Sequence, residues 1–208
     1  FLLTQFLQSV LGYTAFEAGV RLLPTAVVMM VVAPLSARAV ERIGTKVVVA
    51  TGMTVAAVGL VMASRLTAGA SYPEVLVSLV VISAGLALVM APATESIMGS
   101  LPRAKAGVGS AVNDTTRQVG GALGVAVLGS VMSSTYGPRV RDAISGFPVP
   151  PDVASAISDQ VGAAMQAASQ IGGEPGRALA DVASRGFADG MSTAFLIGAA
   201  ALALGAMI

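Results

Sequence analysis

Four groups of polar side chains interrupt a 208-residue chain that is otherwise apolar. Gln5 and Gln8 lie three apart, on one face of a helix. An amide in lipid is costly unless paired, so both should meet a wet cavity or a neighbouring helix. Thr94 and Glu95 follow Pro92 at the end of an apolar run, and an ionisable group near membrane depth is a functional candidate. Glu95 has three readings: structural pairing with Arg117, gating, or direct proton coupling. Asn113, Asp114 and Arg117 form the third group. Asp114 caps a helix and Arg117 anchors it at the membrane surface, or the three form a latch. Glu41, Arg42, Gly44 and Lys46 form the fourth, an acid among bases at a glycine turn. Such an acid can pair with the bases or with a helix N-terminus and later let go; the alternative is plain topogenic charge. Met29, Met30 and Met90 can adapt a cavity to varied apolar ligands, or simply face lipid.

Other chemistry is excluded. The chain has no cysteine, so it has no disulfide, thiolate metal site or cysteine nucleophile. Histidine, the commonest general base and metal ligand, is also absent. The eleven acidic residues show no metal-ligand spacing, and a net charge of +1 gives no footprint for nucleic acid. No cofactor is implied. No nucleophile stands beside a base, so an enzyme is not expected.

The elements that must hold these groups are membrane helices. Hydrophobic residues make up 55% of the chain and charged residues 11%, against about 25% charged in soluble domains. A span needs about 20 mostly apolar residues. Residues 20–40, 47–63, 75–98, 119–132 with flanks, and 191–208 qualify, and residues 1–12 read as a sixth, truncated span. The chain opens on Phe1 and reads as part of something longer. Residues 1–135 then hold five spans, 136–190 a polar segment and 191–208 the last span. In the polar segment Pro150 and Pro151 stop the chain and Asp152 caps a new helix. Val153, Ile157, Val161, Ala164, Ala168 and Ile171 recur at helical spacing. Gly172-Gly173 ends that run, and a second helix from Pro175 carries Leu179, Val182 and Phe187. Two amphipathic helices on the membrane surface or over the bundle are expected; the alternative is a partly disordered loop.

Lysine and arginine near the helix ends set orientation. Arg38, Arg42 and Lys46 follow the second span, and Arg103, Lys105 and Arg117 follow the fourth. The intervening short loops hold Arg21 and Arg65. The basic loops are expected in the cytoplasm, the 136–190 segment outside, and Ile208 back inside. Small-residue stripes let membrane helices approach closely. Gly52, Ala56, Gly59 and Ala63 form one, Ala194, Gly198, Ala201 and Gly205 another, and Gly120 with Gly124 a third.

Ala37-Arg38-Ala39-Val40-Glu41-Arg42-Ile43-Gly44-Thr45-Lys46 resembles a loop motif of the major facilitator superfamily, Gly-x-Leu-Ala-Asp-Arg-x-Gly-Arg-Lys. Glu41, Arg42, Gly44 and Lys46 stand at its acidic, first basic, glycine and last basic positions; Ala37 and Thr45 depart from it. A second stretch is similar to the fourteen-helix drug–proton antiporters of that superfamily. It begins Ala91-Pro92-Ala93-Thr94-Glu95 and continues from Gly107 and Gly109 through Asn113, Arg117-Gln118, Gly120-Gly121 and Leu123-Gly124. The openings Thr4-Gln5 to Gly12-Tyr13 and Ala18-Gly19 to Pro24 fit as well.

The resemblance implies a six-helix C-terminal transporter domain in the bacterial cytoplasmic membrane. Spans one, two, four and five would line a cavity, with three and six as outer scaffold. It implies an absent N-terminal half, protons and a small-molecule substrate as partners. Function is then proton-coupled export of drug-like or amphipathic compounds by alternating access. The rivals are another major-facilitator solute carrier and a non-transporting membrane structural module.

Overall fold

The computed structural model describes residues 1–102, 105–145 and 151–207. Arg103, Pro150 and Ile208 lie outside the described residues, as does the side chain of Asp152 with its expected cap. The described residues form helices and no strand: α1 (Leu2–Gln5), continued by a π-helical turn (Phe6–Val10), α2 (Ala15–Ile43), α3 (Thr45–Ala63), α4 (Tyr72–Gly99), α5 (Ala106–Ile144), α6 (Pro151–Asp159), α7 (Val161–Ile171) and α8 (Gly173–Ala206).

Helices α2, α3, α4, α5 and α8 have the length and composition to cross a bilayer. The expected all-α membrane bundle is present, with five such helices among the described residues where five full spans and a truncated first one were predicted. Residues 2–10 rise only about 13 Å, under half of the ~30 Å hydrocarbon core. The π turn alters the placing of the two glutamines. Leu11 donates its backbone N–H to the Phe6 carbonyl at 3.0 Å, and this wider turn rotates Gln5 and Gln8 off a common face. Gln5 is half-buried and Gln8 exposed.

Helix starts and stops follow local chemistry. Thr14 begins α2 with a capping box: its backbone N–H donates to Glu17 Oε2 at 2.8 Å, and Glu17 N–H donates to Thr14 Oγ1 at 3.2 Å. At α4 the Ser71 N–H donates to Glu74 Oε2 at 2.8 Å. Gly44 alone joins α2 to α3, at φ 83° and ψ 155°, a region open essentially to glycine.

The bundle is held by close backbone approach. Lipid supplies no hydrophobic drive between helices, so packing itself must hold them. A Cβ on Gly52 would meet the Gly85 carbonyl at 2.9 Å, one on Gly59 would meet Ile82 N at 2.7 Å, and one on Gly85 would run into the Ala56 backbone. The predicted stripe on the third span is thus the α3–α4 seam. On α8 the predicted stripe is used in part. Ala194 is buried, Gly198 faces Leu60 of α3 and Gly205 faces Met53, while Ala201 is exposed. Gly120 and Gly124 of α5 have open space where a Cβ would stand, so this third stripe meets no helix among the described residues. Contacts run α2 to α4, α4 to α3, α3 to α8 and α8 to α5, with a lighter touch from α4 to α5.

The best-buried side chains gather at one end of the bundle. Met132, Tyr136 and Val140 of α5 meet Val161, Ala164 and Ala168 of α7 and Leu179, Phe187 and Met191 of α8, with Phe6 and Leu7 beside them. Tyr136 Oη donates to the Ile157 carbonyl at 3.1 Å. Burial of this kind is what water drives. The run predicted across 153–171 breaks at Gln160, whose extended backbone separates α6 from α7. The helix predicted from Pro175 begins at Gly173 and continues unbroken into the last span. At 1.5 Å per residue α5 is about 58 Å long and α8 about 51 Å, so both overshoot a ~30 Å core. The ends of the 136–190 segment are therefore continuous with the helices that flank it.

A substitution pair separates the seam from the open stripe. Gly85→Ala should destabilise the bundle by roughly 3 kcal/mol, the upper end of overpacking penalties. Gly120→Ala should change stability by less than about 0.5 kcal/mol or raise it slightly, as glycine-to-alanine does in a helix. Unfolding midpoints in mild detergent check both.

Candidate functional site

The helix faces with fewest internal partners belong to α2 and α5. On α2, Leu23, Val27, Met30, Val31 and Leu35 are exposed, Met30 at 76%, and Met29 is half-buried. On α5, Val112, Val119, Leu123 and Val127 are exposed, beside the open positions of Gly120, Gly121 and Gly124. Buried inside the chain are only 6% of the apolar window of α2 and 11% of that of α5, against 39% for α4 and α8. A side chain that finds no partner within its own chain must meet lipid, another chain or a cavity.

The structure links the predicted residues selectively. Thr94 is half-buried, and its hydroxyl donates to the Met90 carbonyl at 3.0 Å. Arg117 of α5 reaches Met90 of α4, its Nη2 3.7 Å from the sulfur. The pairing of Glu95 with Arg117 is corrected here, since Glu95 is exposed and no ion pair joins the two among the described residues. The reason lies in where α5 begins. Its N-cap is Lys105, so Asp114 sits more than two turns inside the helix and does not cap it. Arg117 is thereby carried deeper, level with Met90. Asn113 is buried, on the same face as Gly109, which abuts Leu101 at the end of α4.

The glycine-turn group sits at the α2–α3 joint. Glu41, Arg42, Gly44 and Lys46 are all exposed. Arg42 lies in the last turn of α2, where a cation is favoured by the helix dipole. The Gly44 N–H donates to the Val40 carbonyl at 2.9 Å. Among the described residues the ion pairs are Arg139–Asp189 and Arg185–Asp181. The bases at this joint stand free of Glu41, and the pairing proposed for a latch is not made in this conformation.

At the other end of the bundle lies a cluster that the sequence reading did not single out. Arg21 stacks over Tyr13, its Cζ 3.7 Å from the ring centre, and lies 5.5 Å from the Tyr72 ring. Tyr72 Oη donates to the Arg21 carbonyl at 3.0 Å. These contacts tie the start of α2 to the start of α4. The available signal was a tyrosine at the start of each helix, Tyr13 just before α2 and Tyr72 as the first residue of α4, with Arg21 in the second turn of α2.

This fold has relatives. The family model described as Major Facilitator Superfamily matches residues 1–125. The tetracenomycin C resistance and export protein of Streptomyces glaucescens is 37% identical over 213 residues, covering 100% of this chain and 39% of its own. The multidrug efflux pump LfrA of Mycolicibacterium smegmatis is 29% identical over 199 residues, with 96% of this chain and 39% of its own covered. The multidrug resistance protein Stp of Mycobacterium tuberculosis is 36% identical over 147 residues, covering 69% of this chain and 27% of its own. The chain thus spans about two fifths or less of the length of these relatives. A multi-helix membrane bundle, a glycine-turn joint at the motif position and a match over more than half of its length agree: the chain belongs to the Major Facilitator Superfamily.

Proposed function

We propose that this chain is the C-terminal half of a secondary active transporter that exports drug-like or amphipathic compounds in exchange for protons. The observation that carries the reading is the open, apolar, glycine-bearing face of α2 and α5. It suits one wall of a cavity whose other wall is a second six-helix unit. Alternating access follows from rocking one such unit against the other around a site near the bilayer midplane. Two of the relatives carry export or efflux in their names, which favours export over uptake. The protein would lie in the bacterial inner membrane with the Gly44 joint in the cytoplasm, because the short connections at that end carry Arg38, Arg42, Lys46 and Lys105, whereas those at the other end carry Arg21 and Arg65. The helices of 136–190 then lie outside.

In this reading Met29, Met30 and Met90 give the wall an adaptable apolar surface. Gln5, Gln8 and Thr94 are its candidate polar contacts, Gln8 on a different face from Gln5. Glu41, Arg42, Gly44 and Lys46 form the inner joint, and Glu95, Asn113, Asp114 and Arg117 flank the inner mouth. The proton-carrying acids lie in the other half.

Two experiments bear on this. Residues 1–208 reconstituted alone in liposomes should move no dye under an imposed proton gradient. Co-reconstitution with the N-terminal half should give gradient-dependent movement. Dye transport by the fragment as a monomer would refute the half-transporter reading. In the intact transporter Gly44→Val should lower the transport rate roughly tenfold, equivalent to about 1.4 kcal/mol, with dye affinity nearly unchanged. The motive is the strain of about 1–3 kcal/mol that a side chain meets at this backbone geometry. A normal rate would leave the joint as topogenic charge alone.

A further inference from the structure

Two adjoining cavities run along the α3–α8 seam on the half remote from the Gly44 joint. The deeper one, about 590 Å³, is an apolar groove lined by Thr54, Ala57, Val58, Val61, Leu196 and Ala200. The one above it, about 430 Å³, is polar, with Ser64, Arg65, Thr67, Arg185, Asp189 and Ser192 in its lining. Arg65 lines both. Each volume falls within the ~300–1,000 Å³ range of small-molecule sites.

We propose that this pair of cavities binds one acidic phospholipid, its acyl chain along the α3–α8 groove and its phosphate at Arg65. The inference needs only that these helices cross a bilayer; it does not depend on what the protein exports.

Dimensions support it first. From Thr54 to Arg65 the chain rises about 16 Å, close to the ~15 Å hydrocarbon depth of one leaflet. The groove therefore ends in the polar cavity at about the level where an acyl chain meets its headgroup. Chemistry agrees along the whole length. Val58 and Leu196 are about half exposed in the walls, while Ala57 and Ala199 are buried beneath. The Thr54 hydroxyl is turned into its own helix, donating to the Ala50 carbonyl at 2.8 Å, so the groove asks nothing polar of an occupant.

Charge then selects the headgroup. Around the upper cavity Asp189 pairs with Arg139 and Asp181 with Arg185. Among the described residues both pairs are thus closed, each with one partner in the lining, and the third arginine there, Arg65, is in neither, which leaves its positive charge unmatched at the mouth of the groove. A phosphodiester supplies the missing negative charge and the acceptor oxygens that a guanidinium fork suits. A lipid with a net negative headgroup matches this balance, whereas a zwitterionic one adds a cation beside Arg185.

The test uses the intact transporter in phosphatidylcholine nanodiscs that carry a small fraction of phosphatidylglycerol with a photoactivatable acyl chain. Cross-linked peptides are mapped by mass spectrometry. Labels should concentrate on residues 54–65 and 192–203, and unlabelled phosphatidylglycerol should displace them where added phosphatidylcholine does not. Arg65→Gln should lower the yield about fivefold, the equivalent of about 1 kcal/mol for one arginine near a membrane surface; Arg65→Lys should keep most of it. Ala200→Trp, on an exposed position, should block the groove with Arg65 intact. Equal labelling by photoactivatable phosphatidylcholine, labels spread evenly over the lipid-facing helices, or an unaffected Arg65→Gln would overturn the site. Cross-links from this groove to a second copy of the chain would replace the lipid with a protein interface. Should a variant fail to fold, the displacement comparison on the unaltered protein decides by itself.

Discussion

The contact between α3 and α4 at Gly52, Gly59 and Gly85 is the constraint on which the bundle depends. Gly85 lies so close to α3 that a methyl group there has no room beside the Ala56 backbone. Two helices this close gain dispersion along their whole seam, the main attraction left once lipid replaces water. With α4 bound to α3 on one side and α2 on another, and α8 bound to α3 and α5, the helices are linked in the order α2, α4, α3, α8, α5. The unmatched surfaces are those of α2 and α5. The seam therefore holds the domain together and also leaves it incomplete.

Single glycines set how these helices are strung. Gly44 and Gly172 each join two helices with one residue, at φ 83° and 64°. Such a joint fixes the helices beside it more firmly than a loop would. The free charges of Glu41, Arg42 and Lys46 at the first joint remain available to a neighbour. At the opposite end the cation stack of Arg21 on Tyr13 and the Arg139–Asp189 pair tie helices together outside the apolar zone.

Much of this was legible in the sequence because lipid imposes strict rules. Spans two to six were visible as apolar runs, and the Gly52–Ala63 stripe marked the tightest seam. The Gly44 joint was readable from its charges and from its resemblance to the superfamily motif. What failed was register. Asp114 looked like a cap because asparagine and aspartate precede an apolar run, yet the helix starts at Ala106, on residues that are small and only weakly polar. That shift of two turns removed the expected Glu95–Arg117 pair. The π turn that parts Gln5 from Gln8 has no signature in one sequence. The continuity of α5 and α8 beyond the bilayer was hidden because a run of mixed polarity ends a hydropathy signal without ending a helix. The GxxxG of α5 was legible as a packing motif, but its partner is not among the described residues.

In the proposed mechanism the face of α2 and α5 lines a cavity open alternately to the two sides of the membrane. The chain has no cysteine, so single cysteines introduced at Met30 and Gly120 can report on it in the intact transporter, with the native cysteines of the other half replaced. Labelling rates with a membrane-impermeant maleimide would be measured from each side, with and without substrate, beside a control at Val58 on the lipid-facing side of α3. The account predicts that Met30 and Gly120 label, and that substrate shifts their labelling from one side to the other while Val58 stays unreactive. Labelling as low as at Val58, or unchanged by substrate, would place this face in lipid or in a static interface and contradict the account.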